Sequence, residues 1–206
     1  MSKFSQVKRQ IDLLDPENLL ASHAPQDEYD AESRKISEQI SHFDSPAQIA
    51  AVIAAVMQNA FGKPESPARF SETALAVRRA LAYEYYGQIA DLFEYGNART
   101  EVCVQTANEI IRQTLNETDP DVLENIFHAV DTLIAYRNCA DQLELLPLTE
   151  NWQRFDSASL EYLPAILAET GDLRYLDLIR QIGGRFPQIE TAEEIALLQK
   201  RAAQRS

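Results

Sequence analysis

Residues 119–137 read DPDVLENIFHAVDTLIAYR and carry the strongest amphipathic pattern in the sequence. The apolar residues at its repeating positions are Val122, Leu123, Ile126, Val130, Leu133 and Ile134. They recur every three to four residues, which places them on one face of an α-helix. Asp119 and Pro120 occupy the N-cap and the first helical position, where each residue type is favoured. The stretch therefore predicts a helix that buries this face against other helices.

The rest of the chain divides into helices by similar start and stop signals. Ala, Leu, Glu and Gln are plentiful, there are only 6 Gly, and no window alternates apolar and polar residues as a strand does. Besides the helix that begins at 120, helices are predicted over residues 3–14, 28–42, 45–60, 71–95, 100–117, 157–170, 173–182 and 191–203. The sequence therefore predicts an all-α fold of nine or ten helices.

Four local signals refine this assignment. Asp27 is predicted to be the N-cap of the second helix, and Gly183-Gly184 to end the helix that starts near 173. Pro164 predicts a kink inside its helix. Residues 139–156 are predicted to be irregular, because Pro147 interrupts them.

The length of 206 residues favours a single helical domain over residues 1–206. The clearest break in the pattern is Phe61-Gly62-Lys63-Pro64, followed by Pro67. It predicts a possible sub-boundary near 61–70, between N-terminal helices over 1–62 and helix pairs over 71–206. Because the helix before the break is apolar nearly all round, we expect it to pack on the 71–95 helix and continue one fold.

Two stretches align at an offset of 37 residues, with 123–130 over 160–167. The second continues as LEYLPAILAETGDLRYLDLIRQI, which resembles a HEAT repeat in its apolar helix with an internal Pro, its Gly-Asp turn and its second helix. The resemblance covers roughly residues 100–185 and implies antiparallel helix pairs stacked in an α-solenoid. The irregular segment 139–156 departs from that pattern, so a compact orthogonal bundle stays open as the alternative.

Charge is distributed unevenly along the chain, which has a net charge of −13 from 32 acidic and 19 basic residues. This balance argues against binding to a nucleic-acid backbone or to anionic lipid, since both need Lys and Arg. Residues 101–172 hold 14 acidic and only 3 basic side chains, which accounts for −11. The residues predicted to bind a partner are Asp121, Glu124, His128 and Asp131 on one helix face, with Asp141, Glu144 and Glu161 nearby in sequence.

The N-terminal region contains a second acidic group, in LLDPENLL and the following APQDEYD. The residues that define this pattern are Asp15, Pro16, Pro25, Asp27, Glu28, Tyr29 and Asp30. The DP…DEYD pattern is similar to that of small helical bacterial proteins, some of which sit beside toxin genes. With the acidic face, the chain resembles the helical immunity proteins of contact-dependent growth inhibition systems. From the residues alone, Tyr29 is expected to pin the loop to the core with its hydroxyl on a backbone group.

Signatures of catalysis and of bound metal are missing from the sequence. The three histidines are scattered, there is no serine-hydrolase or phosphate-loop motif, and Cys103 and Cys139 are expected to be buried thiols. We therefore predict no catalytic residues, no metal and no cofactor. The N-terminus has no signal-peptide pattern, and the longest apolar run, 49–57, is too short for a membrane span, so a cytoplasmic location is expected.

Three functions remain for comparison. The leading hypothesis is a non-catalytic immunity protein that neutralises a basic toxin, for example a nuclease, through its acidic face. The alternative is a helical scaffold or adaptor with an apolar or mixed groove and no toxin partner. A carboxylate-metal enzyme is less favoured, and it requires Asp15, Asp27, Glu28 and Asp30 to converge within a few ångström. The sequence carries no signal for oligomeric state.

Overall fold

The computed structural model describes residues 2–205, which contain ten α-helices and no β-strand within that range. The helices are α1 (Lys3–Leu14), α2 (Asp30–Gln39), α3 (Pro46–Phe61), α4 (Ser71–Tyr95), α5 (Thr100–Gln113), α6 (Pro120–Arg137), α7 (Leu146–Thr149), α8 (Ser157–Glu169), α9 (Leu176–Arg185) and α10 (Ala192–Arg205). Short 3₁₀ turns lie at Pro67–Phe70, Ala140–Gln142, Trp152–Arg154 and Leu173–Tyr175. The all-α prediction is confirmed.

The chain forms two compact units, Met1–Tyr85 and Tyr86–Ser206, and the division between them falls inside α4. The single-domain organisation and the sub-boundary near 61–70 stay predictions, as does the HEAT-like repeat. No helix among residues 2–205 combines the length and the apolar character that crossing a bilayer requires.

The first unit is built around α1, α2 and α3, which pack in chain order, with the Pro67–Phe70 turn against α3. Its fully shielded side chains include Val7, Ile11, Ile36, Ile49, Ile53, Met57, Phe70 and Val77. The start of α3 follows from its sequence: the Ser45 hydroxyl accepts the N–H of Gln48, and the Gln48 side chain accepts the N–H of Ser45 at 2.8 Å. This reciprocal cap satisfies two helix-end donors and fixes the first turn of the helix.

The second unit is organised by α8, which packs against α6, α9 and α10, while α6 also packs against α5. The six apolar positions that predicted α6 are all buried. Phe127 and Phe155 meet edge to face at 5.1 Å between ring centroids. Cys103 and Cys139 are free buried thiols, as predicted.

The segment 139–156, predicted to be irregular, contains two 3₁₀ turns and the one-turn helix α7, and it contributes to the core. Its buried side chains are Leu145, Leu148, Trp152 and Phe155. The guanidinium of Arg185 lies 5.5 Å from the ring centre of Trp152, so the indole is covered by a cation. The segment is therefore an ordered part of the second unit rather than a solvent-filled loop.

Two of the local predictions are wrong. Asp27 is not the cap of α2: the helix starts at Asp30, and Asp27 instead accepts the Asp30 N–H through its backbone carbonyl at 3.0 Å. Gly183-Gly184 does not end α9, which continues to Arg185. Gly183 has a packing role, because a Cβ there would lie 2.6 Å from the hydroxyl of Thr191.

Candidate protein-binding face

The acidic stripe of α6 lies beside α8, and together they form what we call the acidic face. We define the acidic face as Asp121, Glu124, His128 and Asp131 on α6 with Glu161 and Tyr162 on α8. The His128 and Tyr162 rings are 5.8 Å apart between centroids. His128 and Glu161 are exposed, whereas Glu124 and Asp131 are partly buried. The structure thus places Tyr162, which follows Glu161 on α8, beside His128 of the stripe.

The pKa values of two groups on this face, Asp131 and Tyr162, are raised. Burial raises the pKa of Asp131, the carboxylate of Glu169 raises it further, and His128 opposes the shift. Burial also raises the pKa of Tyr162, and so do the charges of Glu124, Asp131 and Glu161. For both groups burial is the largest cause, because it penalises the charged form of a carboxyl or a phenol.

The three basic residues of segment 101–172 do not neutralise the acidic face. The guanidinium of Arg137 donates to the carbonyls of Phe93 and Gly96, at the end of α4. Arg154 donates to the carbonyls of Thr114, Leu115 and Glu117, just beyond α5. Arg112 pairs with Glu144 at 2.7 Å. Each arginine therefore has a structural partner elsewhere.

Ion pairs within residues 2–205 separate the predicted binding residues into two groups. Asp141 and Glu144 pair with Arg205 at 3.3 Å and with Arg112, so their charges are locally compensated. No lysine or arginine in that range pairs with Glu124, Asp131 or Glu161. Among the predicted binding residues, Glu124, Asp131 and Glu161 therefore keep uncompensated charge, whereas Asp141 and Glu144 do not.

The N-terminal motif holds a loop closed. The Asp15 carboxylate accepts the N–H groups of Leu20 at 3.1 Å and Ala21 at 2.9 Å. The Tyr29 hydroxyl donates to Asp15 at 2.8 Å and accepts the N–H of Glu17 at 3.1 Å, and the ring is fully buried. This confirms the prediction that Tyr29 pins the loop to the core through a backbone group.

The other carboxylates of the motif do not join Asp15 in a metal site. Asp30 pairs with Lys8 at 2.7 Å, and Asp27 and Glu28 are exposed. Within residues 2–205, no group of three or more His, Cys, Asp or Glu side chains is arranged to hold a metal ion. The convergence that a carboxylate-metal enzyme needs is not found in the described part of the chain.

Sequence reasoning missed Tyr162 and Glu169, which contribute to the electrostatics of the face. Their spacing of seven residues places them on one side of α8, two turns apart, and this signal was available. Glu169 also pairs with Arg201 of α10. That pairing depends on tertiary packing, and no sequence pattern indicates it.

A separate apolar groove of about 730 Å³ lies in the second unit. Its lining residues are Arg112, Leu115, Leu143, Glu144, Leu145, Leu146, Pro147, Arg174 and Tyr175. Leu115 and Leu146 are exposed despite their size. A patch of this kind is suited to an apolar segment of another protein.

Comparison of the chain with protein-family models, with curated proteins and with solved structures finds no match. The resemblances to immunity proteins and to HEAT repeats therefore stay hypotheses.

Proposed function

We propose that the protein is a non-catalytic protein-binding module of the bacterial cytoplasm that neutralises a basic toxin through its acidic face, as an immunity protein does. One observation supports the proposal: Glu124, Asp131 and Glu161 of the acidic face pair with no lysine or arginine among residues 2–205, and all three basic side chains of residues 101–172 are engaged elsewhere. A toxin that cleaves nucleic acid needs a cationic surface of its own to grip phosphates. The two surfaces are complementary in charge.

The physical effect expected of such a face is fast and selective association. Opposite charges on two protein surfaces steer the encounter, and they raise association rates by about ten- to a thousandfold at low ionic strength. Inhibition by occlusion requires no catalytic residue and no cofactor. Asp131 lies in a partly buried position where burial raises its pKa, and pKa shifts of this kind cluster at functional sites.

The test is a protection assay with the toxin domain encoded beside this protein's gene. Cells that express the toxin domain should grow when the wild-type protein is co-expressed. The double variant Glu124→Lys/Glu161→Lys should lose protection, and its association rate should fall by about tenfold or more at low salt. Asp131 is left unchanged in this variant, because burial already raises its pKa and a lysine at that position would also threaten folding.

A matched control makes the same charge change on α5. Glu101 and Glu109 are exposed, so Glu101→Lys/Glu109→Lys alters the net charge equally without touching the acidic face. This control should protect cells as the wild type does. Failure of the wild-type protein to protect would overturn the immunity function, and equal rates for the two double variants would overturn the role of the acidic face.

The apolar groove supports the alternative of a scaffold or adaptor without a toxin partner. In that case binding depends on Leu146, which is exposed at the groove, rather than on charge. Leu146→Asp should then remove the partners that co-purify with the protein from its source cells, as counted by quantitative mass spectrometry. The Glu124→Lys/Glu161→Lys variant should keep them.

A further inference from the structure

Among the helices of ten or more residues between positions 2 and 205, α10 buries the fewest side chains. Leu198 is its single buried residue, whereas α8, against which α10 packs, buries seven. The apolar side chains of Ile195 and Leu197 on α10 are only partly buried. Because a helix in a protein is stabilised mainly by packing of its apolar face, α10 is attached less firmly than its length suggests.

Two polar atoms on α10 make its packing less favourable still. Oε2 of Glu194 and Nε of Arg201 are shielded from solvent, and neither has a hydrogen-bond partner within residues 2–205. A buried polar atom without a partner costs free energy comparable to what the burial of one leucine side chain contributes. These two atoms therefore offset much of the stabilisation that Leu198 provides.

Two ion pairs also attach α10 to the second unit. Nη2 of Arg201 bonds to the carboxylate of Glu169 at the end of α8, and Nη2 of Arg205 lies 3.3 Å from the carboxylate of Asp141. Ion pairs that are open to water contribute little to stability, and salt weakens them further. Because both acceptors are carboxylates, a cation from another molecule can compete with the arginines for them.

Release of α10 would enlarge the acidic face. Glu169 follows Tyr162 by two turns on α8, and its charge adds to burial in raising the pKa of Asp131. In the observed arrangement Arg201 pairs with Glu169 and compensates its charge. Movement of α10 away from α8 removes this guanidinium, so that Glu169 adds its negative charge to that of the acidic face.

We propose that α10 is a displaceable cover: a basic partner that pairs with Glu169 and Asp141 takes the place of Arg201 and Arg205 and releases the helix. In the closed form both carboxylates are already paired, and in the open form they are free. A cationic ligand therefore binds the open form more tightly and shifts the population toward it. The proposal rests on the proposed function only in taking the partner to be basic.

Hydrogen exchange of the full-length protein, followed by mass spectrometry at low salt, tests the cover. Amides of α10 should exchange about tenfold or more faster than those of α8, because weakly packed elements open locally. The basic probe is tetra-lysine amide, which should speed the exchange of α10 by a further factor of about three or more and leave α1 unchanged. Exchange in α10 as slow as in α8, or unchanged by the peptide, would overturn the proposal.

The variant Arg201→Gln/Arg205→Gln removes both ion pairs. Without any peptide, its α10 amides should exchange about threefold or more faster than those of the wild type. The peptide should then have no further effect, because Glu169 and Asp141 are free in both the closed and the open form of this variant. Acceleration by the peptide that persists in the variant would overturn the role of the two ion pairs.

The matched control is Lys35→Gln/Lys200→Gln, which makes the same change in net charge. Both lysines are exposed, and neither forms an ion pair with the described residues 2–205. This control should respond to the peptide as the wild type does, and circular dichroism confirms that each variant is folded. No toxin is present, so a failure of the exchange prediction is distinguishable from a failure of the toxin-protection assay.

Discussion

The loop that links α1 to α2 and the acidic face of α6 and α8 are both rich in carboxylates, but they use them differently. In the loop, Asp15 binds two backbone N–H groups and a tyrosine hydroxyl. Asp30 pairs with Lys8. On the acidic face, Glu124 and Asp131 have no such partner among residues 2–205. The acidic residues of the loop therefore stabilise the fold through their hydrogen bonds and ion pairs, whereas Glu124 and Asp131 make no such contribution.

The pKa values of Asp15 and Asp131 express this difference. Burial raises the pKa of Asp15, but the bonds from Ala21, Tyr29 and Leu20 outweigh burial and leave it below its ordinary value. Burial raises the pKa of Asp131, and no compensating donor brings it back. Folding therefore favours the charged form of Asp15 and disfavours that of Asp131. A carboxyl group whose charged form is disfavoured by folding is a candidate for a functional role.

The largest effect is expected for Tyr29→Ala. It removes a fully buried ring and leaves the Glu17 N–H and the Asp15 carboxylate short of a partner. The free energy of unfolding should fall by about 3–5 kcal/mol, as for other large aromatic truncations. Tyr162→Ala on the acidic face should lower the free energy of unfolding by a smaller amount, because the Tyr162 ring is only partly buried. Urea unfolding followed by circular dichroism measures both, and similar losses would contradict the comparison.

Arg154→Ala should have the next largest effect. It removes the donors from three carbonyls beyond α5, so the free energy of unfolding should fall by about 1–3 kcal/mol. Glu124→Ala, with no such partner, should change it by less than about 0.5 kcal/mol. Urea unfolding at a single pH is sufficient. An unchanged free energy of unfolding in Arg154→Ala would contradict a structural role for these hydrogen bonds.

Acid unfolding tests the role of Asp15. Its folded pKa lies below the ordinary value of 3.8, so its charge stabilises the fold above that value. This contribution is lost as the pH falls through the folded pKa. Asp15→Asn should be less stable than the wild type at neutral pH, and the difference should shrink in acid. If the difference in the free energy of unfolding between Asp15→Asn and the wild type stayed constant with pH, the hydrogen bonds to Asp15 would not depend on its charge.

The smallest effect, and one of opposite sign, is expected for Asp131→Asn. A raised folded pKa means that the acid stabilises the fold only when protonated, and that this contribution is lost as the pH rises through the folded value. Asn should therefore stabilise the protein at neutral pH by about 0.5 kcal/mol, with a smaller gain in acid. Glu150→Gln, at an exposed position, is the control and should change nothing. A loss of stability in Asp131→Asn would contradict the assignment.

Features set by local sequence were predictable, and features set by tertiary proximity were not. The stripe on α6 and the role of Tyr29 follow from helical spacing and from the amphipathic nature of tyrosine. The arginine contacts could not be predicted, because Arg137 meets Phe93 across 44 residues and Arg154 meets Thr114 across 40. The prediction that Gly183-Gly184 ends α9 was wrong because glycine occurs at sites of close packing as well as at helix ends.

Trp152 is the single tryptophan of the chain, and it lies in residues 86–206, as do both cysteines. The intrinsic fluorescence of the indole and the labelling rate of the two thiols are therefore built-in reporters of the second unit. Far-UV circular dichroism, in contrast, records every helix. Unfolding curves from fluorescence and from circular dichroism that coincide identify one cooperative transition, whereas separated midpoints assign a stability to each unit without any attached dye.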